Sequence, residues 1–204
     1  MIHFTSDLHL FHRNILTFQD EAGRLIRPGF GSIEEMNETI VQNWNSVVRD
    51  GDKVYVLGDV TFSYGDEFSQ LWSRLRGNKR LLLGNHDDLK SGNQALRHCF
   101  KKIGLWRVFH EQEPGFVCSH IPIHPAHFRN SDFNLHGHIH ERVVYLPGTL
   151  IPDLRYLNIC VEKINYTPVS FDWVIEEITR RGKLLRELQH AAPKNDGLSD
   201  RKCA

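Results

Sequence analysis

Five apolar runs in this chain end in side chains that bind metal ions. Residues 2–5 (IHFT) give way to Ser6-Asp7-Leu8-His9, and residues 54–57 (VYVL) to Gly58-Asp59. Residues 80–83 (RLLL) lead into Gly84-Asn85-His86-Asp87-Asp88, residues 116–118 into Ser119-His120, and residues 133–135 into His136-Gly137-His138-Ile139-His140. A solvated turn accounts for Gly-Asn and Asp-Asp, but not for the histidine between them. Buried strands that stop in amides, imidazoles and carboxylates constrain the fold. In α/β sheets ligands collect at the carboxyl ends of the strands, where the connecting loops splay apart.

The periodicity around these runs alternates strand and helix through the first half. Ser32 with Glu35 three residues later is a capping box, and Ile33, Met36, Ile40, Trp44 and Val47 continue it as an apolar stripe. Phe68, Leu71, Trp72 and Leu75 mark a second helix, closed by Gly77 at a C′ position. Residues 89–102 are polar and weakly helical. After Gly104 short β-like runs follow at 106–110, 116–118, 133–135, 143–146 and 156–161, and Ser170 then caps a last helix carrying Phe171, Val174, Ile175 and Ile178 on one face. The pattern predicts an α/β (α+β) fold in which two sheets pack together with helices outside. One domain is expected over residues 1–190, and the tail at 191–204 (AAPKNDGLSDRKCA) has little to bury and is expected to be mobile.

Composition narrows the function. With 204 residues and 40% hydrophobic content the chain can bury a full core. Lys and Arg number 25 against 25 Asp and Glu, so no global field holds a polyanion, which argues against a general nucleic-acid-binding protein. There is no charged leader and no apolar run of membrane-spanning length. The four cysteines have neither C-x-x-C spacing nor the density of a disulfide scaffold. The expectation is a cytoplasmic protein with no membrane partner. Thirteen histidines are the unusual count, and six of them lie between His120 and His140.

In extended backbone, positions i and i+2 point to the same side, so Asp7 and His9 form a pair, as do His138 and His140. Each piece is weak alone; the order of five, each after an apolar run, carries the reading. Asp7, His9, Asp59, Asn85, His120, His138 and His140 at adjacent strand ends make one cluster of donors. Seven donors exceed what a single ion with an open position needs, and suit two ions about 3.5–4 Å apart with one carboxylate bridging them. Carboxylate, amide and imidazole without thiolate favour Mn, Fe, Co, Ni or Zn over Ca, with manganese the expected occupant. Two such cations acidify a shared water and neutralise charge on phosphate oxygens during in-line displacement.

The ordered set DLH, GD, GNHD, a single His and GHIH is similar to the signature of the calcineurin-like metallophosphoesterases, and the match runs from Asp7 to His140. SDLHLFHRNIL, EEMNETIVQNWN, NLHGHIH and LNICVEKINYTPVS look closest to the small bacterial and phage-type members. The resemblance implies two facing mixed β-sheets in a four-layer αββα arrangement. It implies a first metal on Asp7, His9 and His140, a second on Asn85, His120 and His138, and Asp59 bridging. It makes His86 the non-ligand histidine that reaches the substrate or its leaving group. The implied reaction is phosphoester hydrolysis by a metal-bridging hydroxide, with diesters slightly favoured. A nuclease acting on RNA or DNA, or a non-catalytic scaffold on the same fold, are the alternatives. Many members read GD-x-x-D, where this chain has Gly58-Asp59-Val60-Thr61-Phe62, so an aromatic ring stands where a carboxylate would charge the GNH histidine.

Candidate substrate contacts lie beside these motifs. His12 and Arg13 follow the first pair, either lining a pocket or opening a solvated helix. Arg24 and Arg27 offer guanidinium groups that suit a phosphate, although surface arginines are common. The segment 121–130 (IPIHPAHFRN) brings His124, His127 and Arg129 after His120 and is the most plausible substrate-contacting loop. The expected partner is a small phosphoester, a nucleotide among the options.

Overall fold

The computed structural model describes residues 1–87, 94–111 and 113–191. Strands β1 (Ile2–Thr5), β2 (Lys53–Val56), β3 (Asn78–Leu82) and β4 (Lys102–Gly104) run parallel, and β9 (Val169–Ser170) closes the far edge antiparallel to β1. In a second sheet β5 (Trp106–Phe109) is antiparallel to β6 (Phe116–Ser119), and β6, β7 (Phe133–His136) and β8 (Tyr156–Asn158) are parallel. These are the two mixed sheets expected from the sequence. Helices α1 (Ile33–Val47), α2 (Asp66–Ser73), α3 (Gln94–Cys99) and α4 (Phe171–Ala191) flank them.

Period-two alternation sorts strand side chains onto two faces. Val54, Val56 and Leu81 share one core with Met36, Ile40, Val41 and Trp44 of α1 and Phe68, Leu71 and Trp72 of α2. Phe4, Tyr55, Leu57 and Leu82 share the other with Phe109, Phe116, Phe133, Leu135 and Leu157 of the second sheet, joined by Val174 and Ile178 of α4. The Phe4 ring lies 5.6 Å from Tyr55, 5.5 Å from Phe109 and 5.8 Å from Phe116. Full burial contributes roughly 1.5–3 kcal/mol for each large apolar side chain, so this cluster fixes how the sheets face. Their ends are tied where Ser6 bridges to Cys160.

Local chemistry explains most boundaries. The Ser32 hydroxyl accepts the Glu35 amide at 3.1 Å, the first half of the capping box, while the Glu35 carboxylate reaches the Gly31 amide at 2.7 Å. Ser170 accepts the Trp173 amide at 3.1 Å and caps α4. Three expectations need correction. Gly77 lies beyond the α2 C-cap, Arg74, and at φ +86° turns the chain into β3. Residues 143–146 form no strand; one bridge, Tyr145 to Pro152, held by the Leu146 and Asp153 amides, is all that pairs there before the turn at Leu146–Thr149. β8 stops at Asn158, whose side chain accepts the Cys160 amide at 2.9 Å, and the apolar run continues as the 3₁₀ turn Val161–Ile164. From residue 192 onward the predicted tail lies outside the described residues. Among those described, no helix is long and apolar enough to cross a membrane.

Candidate metal centre

The strands β1, β2, β3, β6 and β7 direct their carboxyl ends to one edge. Beyond β1 and β2 the backbone stays paired: the amides of Asp7, His9 and Leu10 donate to the carbonyls of Gly58, Asp59 and Val60, each at 3.0 Å. The donors nevertheless do not sit on extended backbone. Asp7, His9, Asp59, His138 and His140 have φ of 57°, 49°, 52°, 70° and 49°. The pairing of i with i+2 is therefore made by left-handed turns past the strand ends, not by pleating. Such conformations cost on the order of 1–3 kcal/mol each and gather at functional sites.

Two glycines let the loops close. A Cβ on Gly84 would stand 2.2 Å from Asp59 Oδ1, and one on Gly137 would stand 1.9 Å from Ser6 Oγ and 2.2 Å from Asp7 Oδ2. The His138 amide donates to that Asp7 oxygen at 2.9 Å, and the Ser6 hydroxyl at 2.5 Å.

The donor atoms fall into two groups, Asp7 with His9 and His140, and Asp59 with His120 and His138. Asp59 Oδ2 lies 3.7 Å from His9 Nε2 in the first group and 3.4 Å from His120 Nε2 in its own. Asn85 Oδ1 is 2.9 Å from His120 Nε2, at the second group. Asp7 Oδ1 and both ring nitrogens of His9 are buried without a hydrogen-bond partner. A polar atom buried in that state costs about 1–3 kcal/mol. Asp7 Oδ1 lies 3.7 Å from His9 Nε2 and 3.9 Å from His140 Nε2. These gaps are too long for hydrogen bonds. They are a few tenths of an ångström wider than the about 3–3.5 Å that bonds of about 2.0–2.2 Å set between neighbouring ligand atoms, a gap that small side-chain movements close around a cation. The residues fit divalent metal.

The field between the groups is strongly coupled. Burial would raise the Asp7 carboxyl, but the imidazoles of His9, His120 and His140 hold it well below the ordinary carboxylate range. Burial lowers His9 and His138. It opposes a proton on His120 too, yet Asp59 and Asp7 raise that ring to about 9. Burial likewise opposes a proton on His140, and the Glu162 carboxylate overrides it.

The other predicted residues separate. His86 is exposed, and its amide donates to Asp59 Oδ1 at 3.0 Å. The His12 ring stacks on Phe62 at 3.8 Å between centroids and lies 5.5 Å from that of His9, and burial pushes it down to about 4. Arg13 points outward and pairs with Glu34 at 2.7 Å, so the structure gives it no place in the pocket. Arg27 requires the larger correction: at 1% exposure, with its guanidinium on Glu162 and two backbone carbonyls, it cannot meet a substrate. Arg24 is paired with Asp20. His124 accepts the Ala126 amide at 3.2 Å and Arg129 lies over the Trp106 ring, so both are engaged within their own surroundings. Glu162 and Cys160, grouped with His140, were missed. The signal was present, because residues 157–161 are a further apolar run that ends in a carboxylate.

The sequence profile of the calcineurin-like phosphoesterases matches residues 1–196. The chain belongs to this family. It is 33% identical over 189 residues to an uncharacterised protein of Methanocaldococcus jannaschii, covering 92% of this chain and 96% of that one. Over 112 residues it is 37% identical to the gene 66 protein of Mycobacterium phage L5, covering 52% of this chain and 48% of that one. A protein of unknown function from Aquifex aeolicus has a crystal structure that superposes with a TM-score of 0.63 at 26% identity, covering 86% of this chain and 98% of its own. Membership of the calcineurin-like phosphoesterases supports metal-dependent hydrolysis of phosphate esters, and the two donor groups are the residues available for divalent metal.

Proposed function

We propose that the protein is a binuclear metal phosphodiesterase acting on a small phosphoester. The observation that carries this reading is the position of Asp59 Oδ2, 3.7 Å from a donor of one group and 3.4 Å from a donor of the other. In this reading Asp7, His9 and His140 would hold one ion and Asn85, His120 and His138 the other, with the Asp59 carboxylate available to both. The mixed carboxylate, amide and imidazole donors suit manganese, iron, cobalt, nickel or zinc, and manganese serves as the test ion. When bound, such a pair supplies an acidified water and neutralises charge on the phosphoryl group.

The chain's own residues do the rest. Ser6, Cys160 and the His138 amide all donate to Asp7 Oδ2, so its Oδ1 alone faces His9 and His140. His86, outside both donor groups and held by its amide on Asp59, is placed to hold or deliver a proton at the leaving oxygen. Phe62 presents a 39% exposed ring flat against His12, a wall suited to a planar group on the substrate such as a base or an aryl ring. Arg13, Arg24 and Arg27, the guanidinium groups nearest in sequence to the first donor loop, are all committed to carboxylates. That favours a singly charged diester over a doubly charged monoester. The free thiols Cys99, Cys118 and Cys160 fit a reducing cytoplasm.

The test is a screen of the manganese-loaded protein against aryl phosphomonoesters and diesters, cyclic nucleotides, and short RNA and DNA. The expected result is two ions per chain and faster hydrolysis of small diesters. Faster monoester turnover would overturn the diester preference, a preference for RNA or DNA would replace the small substrate with a nuclease, and inactivity with both ions bound would leave the scaffold reading.

A further inference from the structure

The loop at residues 18–31 is folded on itself. Gln19 bridges to Leu25, Asp20 accepts the amides of Ala22 and Arg24 at 2.9 Å each, and the Arg24 side chain closes onto Asp20. The loop thereby delivers Arg27 into the interior. Its Nη2 donates to the Asp7 carbonyl at 2.6 Å, its Nη1 to the Leu8 carbonyl at 3.0 Å, and its Nε to Glu162 Oε1 at 2.7 Å. The same Glu162 oxygen lies 2.9 Å from His140 Nδ1. The Arg27 and Glu162 side chains are 0% and 1% exposed. One planar cation thus grips the left-handed backbone of the first donor loop and, through one carboxylate, the ring of a donor from the other sheet.

We infer that Arg27 and Glu162 form a positioning clamp for the ion site made by Asp7, His9 and His140. Glu162 fixes the His140 proton on Nδ1, which turns Nε2, with its lone pair, toward Asp7 and His9. Arg27 anchors Glu162 and holds the Asp7 and Leu8 carbonyls, so the carboxylate of Asp7 stays aimed at the same point. A ligating histidine is usually oriented this way through its second nitrogen, and removal of the partner lowers metal affinity about 10–100-fold. The clamp acts on one ion only, because Asp59, Asn85, His120 and His138 lie outside it. The metal arm of the inference rests on the binuclear reading above; the arm concerning the His140 tautomer does not.

A buried ion pair stripped of one partner leaves an uncompensated charge, so the informative variant is the neutral pair Arg27→Met with Glu162→Leu, which leaves no acceptor for His140 Nδ1, with Glu162→Gln, which keeps one, beside it. Two readouts are taken after thermal melting confirms a folded protein. The first is the ¹⁵N NMR pattern of the His140 ring in the metal-free protein, assigned by its loss in His140→Ala. At a pH where the ring is neutral, the clamp requires the Nδ1–H tautomer in the wild type and a mixture with Nε2–H in the paired variant. The second is manganese binding by calorimetry: two ions in the wild type, and in the variant one site weakened about 10–100-fold with the other within about twofold. An unchanged tautomer together with two unchanged affinities would overturn the clamp, as would equal weakening of both sites. If the wild type binds no manganese but the variant still loses the tautomer, the metal reading fails and the clamp on His140 stands.

Discussion

Asp87 Oδ2 accepts the backbone amide of Asp59 at 3.0 Å. The same carboxylate takes the amides of Val60 at 3.0 Å and Gly84 at 2.8 Å, which locks the loop after β2 to the loop after β3. This explains one carboxylate in the GNHDD stretch: Asp87 joins the two loops and belongs to neither donor group. Asp87→Ala leaves three amides without their acceptor. At about 1–3 kcal/mol for an amide left fully unsatisfied, partly offset by entering water, the expected loss of stability is about 2–4 kcal/mol. Chemical denaturation measures it, and a change below about 0.5 kcal/mol would show that the loops hold together without this residue.

Asp59→Asn is expected to abolish turnover more completely than His9→Ala. Asp59 Oδ2 faces donors of both groups, whereas His9 belongs to one. Activity of the two variants at saturating manganese, with metal content measured in parallel, checks the order. Near-wild-type activity in Asp59→Asn would remove the residue from the centre.

The order of donors was legible because each follows an apolar run, and burial of a strand is written in the side chains themselves. Asp7, His9, Asp59, Asn85, His120, His138 and His140 all arrive at one edge for that reason. What the sequence hid was backbone conformation and long-range pairing. Extended geometry and left-handed geometry both place Asp7 and His9 together, so the residues alone could not tell them apart. Arg27 read as a phosphate contact or a surface arginine, and not as a buried one, because its partners, Glu162 and the Asp7 and Leu8 carbonyls, are contributed by distant elements. The two-residue β9 was missed because Val169-Ser170 carries no periodicity of its own.

Gly137→Ala should act as a metal-site mutation although it removes no donor. The added methyl would meet Ser6 Oγ at 1.9 Å and Asp7 Oδ2 at 2.2 Å, so Asp7 must move. The expected outcome is a loss of at least about 1–3 kcal/mol, the usual scale of overpacking, with weakened binding of the ion at Asp7. Melting and manganese titration read both, and wild-type values in both would show that the GHIH turn yields more easily than its contacts imply.

His86→Ala is expected to keep its metal and lose about 10²–10⁴-fold in rate, the scale of a positioned acid or base. Only the backbone of His86 touches Asp59, and the variant retains that amide. Metal content and steady-state rates separate the roles. A variant that lost its metal would make the His86 ring a ligand and displace Asn85 from the assignment.

The Phe62 ring lies 5.0 Å from that of His86 and 5.3 Å from that of His9, at the position where many family members carry a carboxylate. An aromatic ring cannot accept an imidazole N–H as a carboxylate does. Asp87 does not compensate, since its two oxygens are taken by three amides. His86 then acts without a carboxylate to orient its ring, and proton delivery to the leaving oxygen lags behind bond breaking. The expected consequence is a steep dependence on leaving-group pKa, with activated aryl diesters cleaved much faster than alkyl ones. Phe62→Asp should flatten that dependence by supplying the missing carboxylate, and should raise KM for aryl substrates by removing the wall against His12. A plot of log rate against leaving-group pKa for both proteins, with chemistry shown to be rate-limiting, decides it. A flat wild-type plot would mean that the leaving group is protonated without a carboxylate behind His86, and the role assigned to Phe62 would fall.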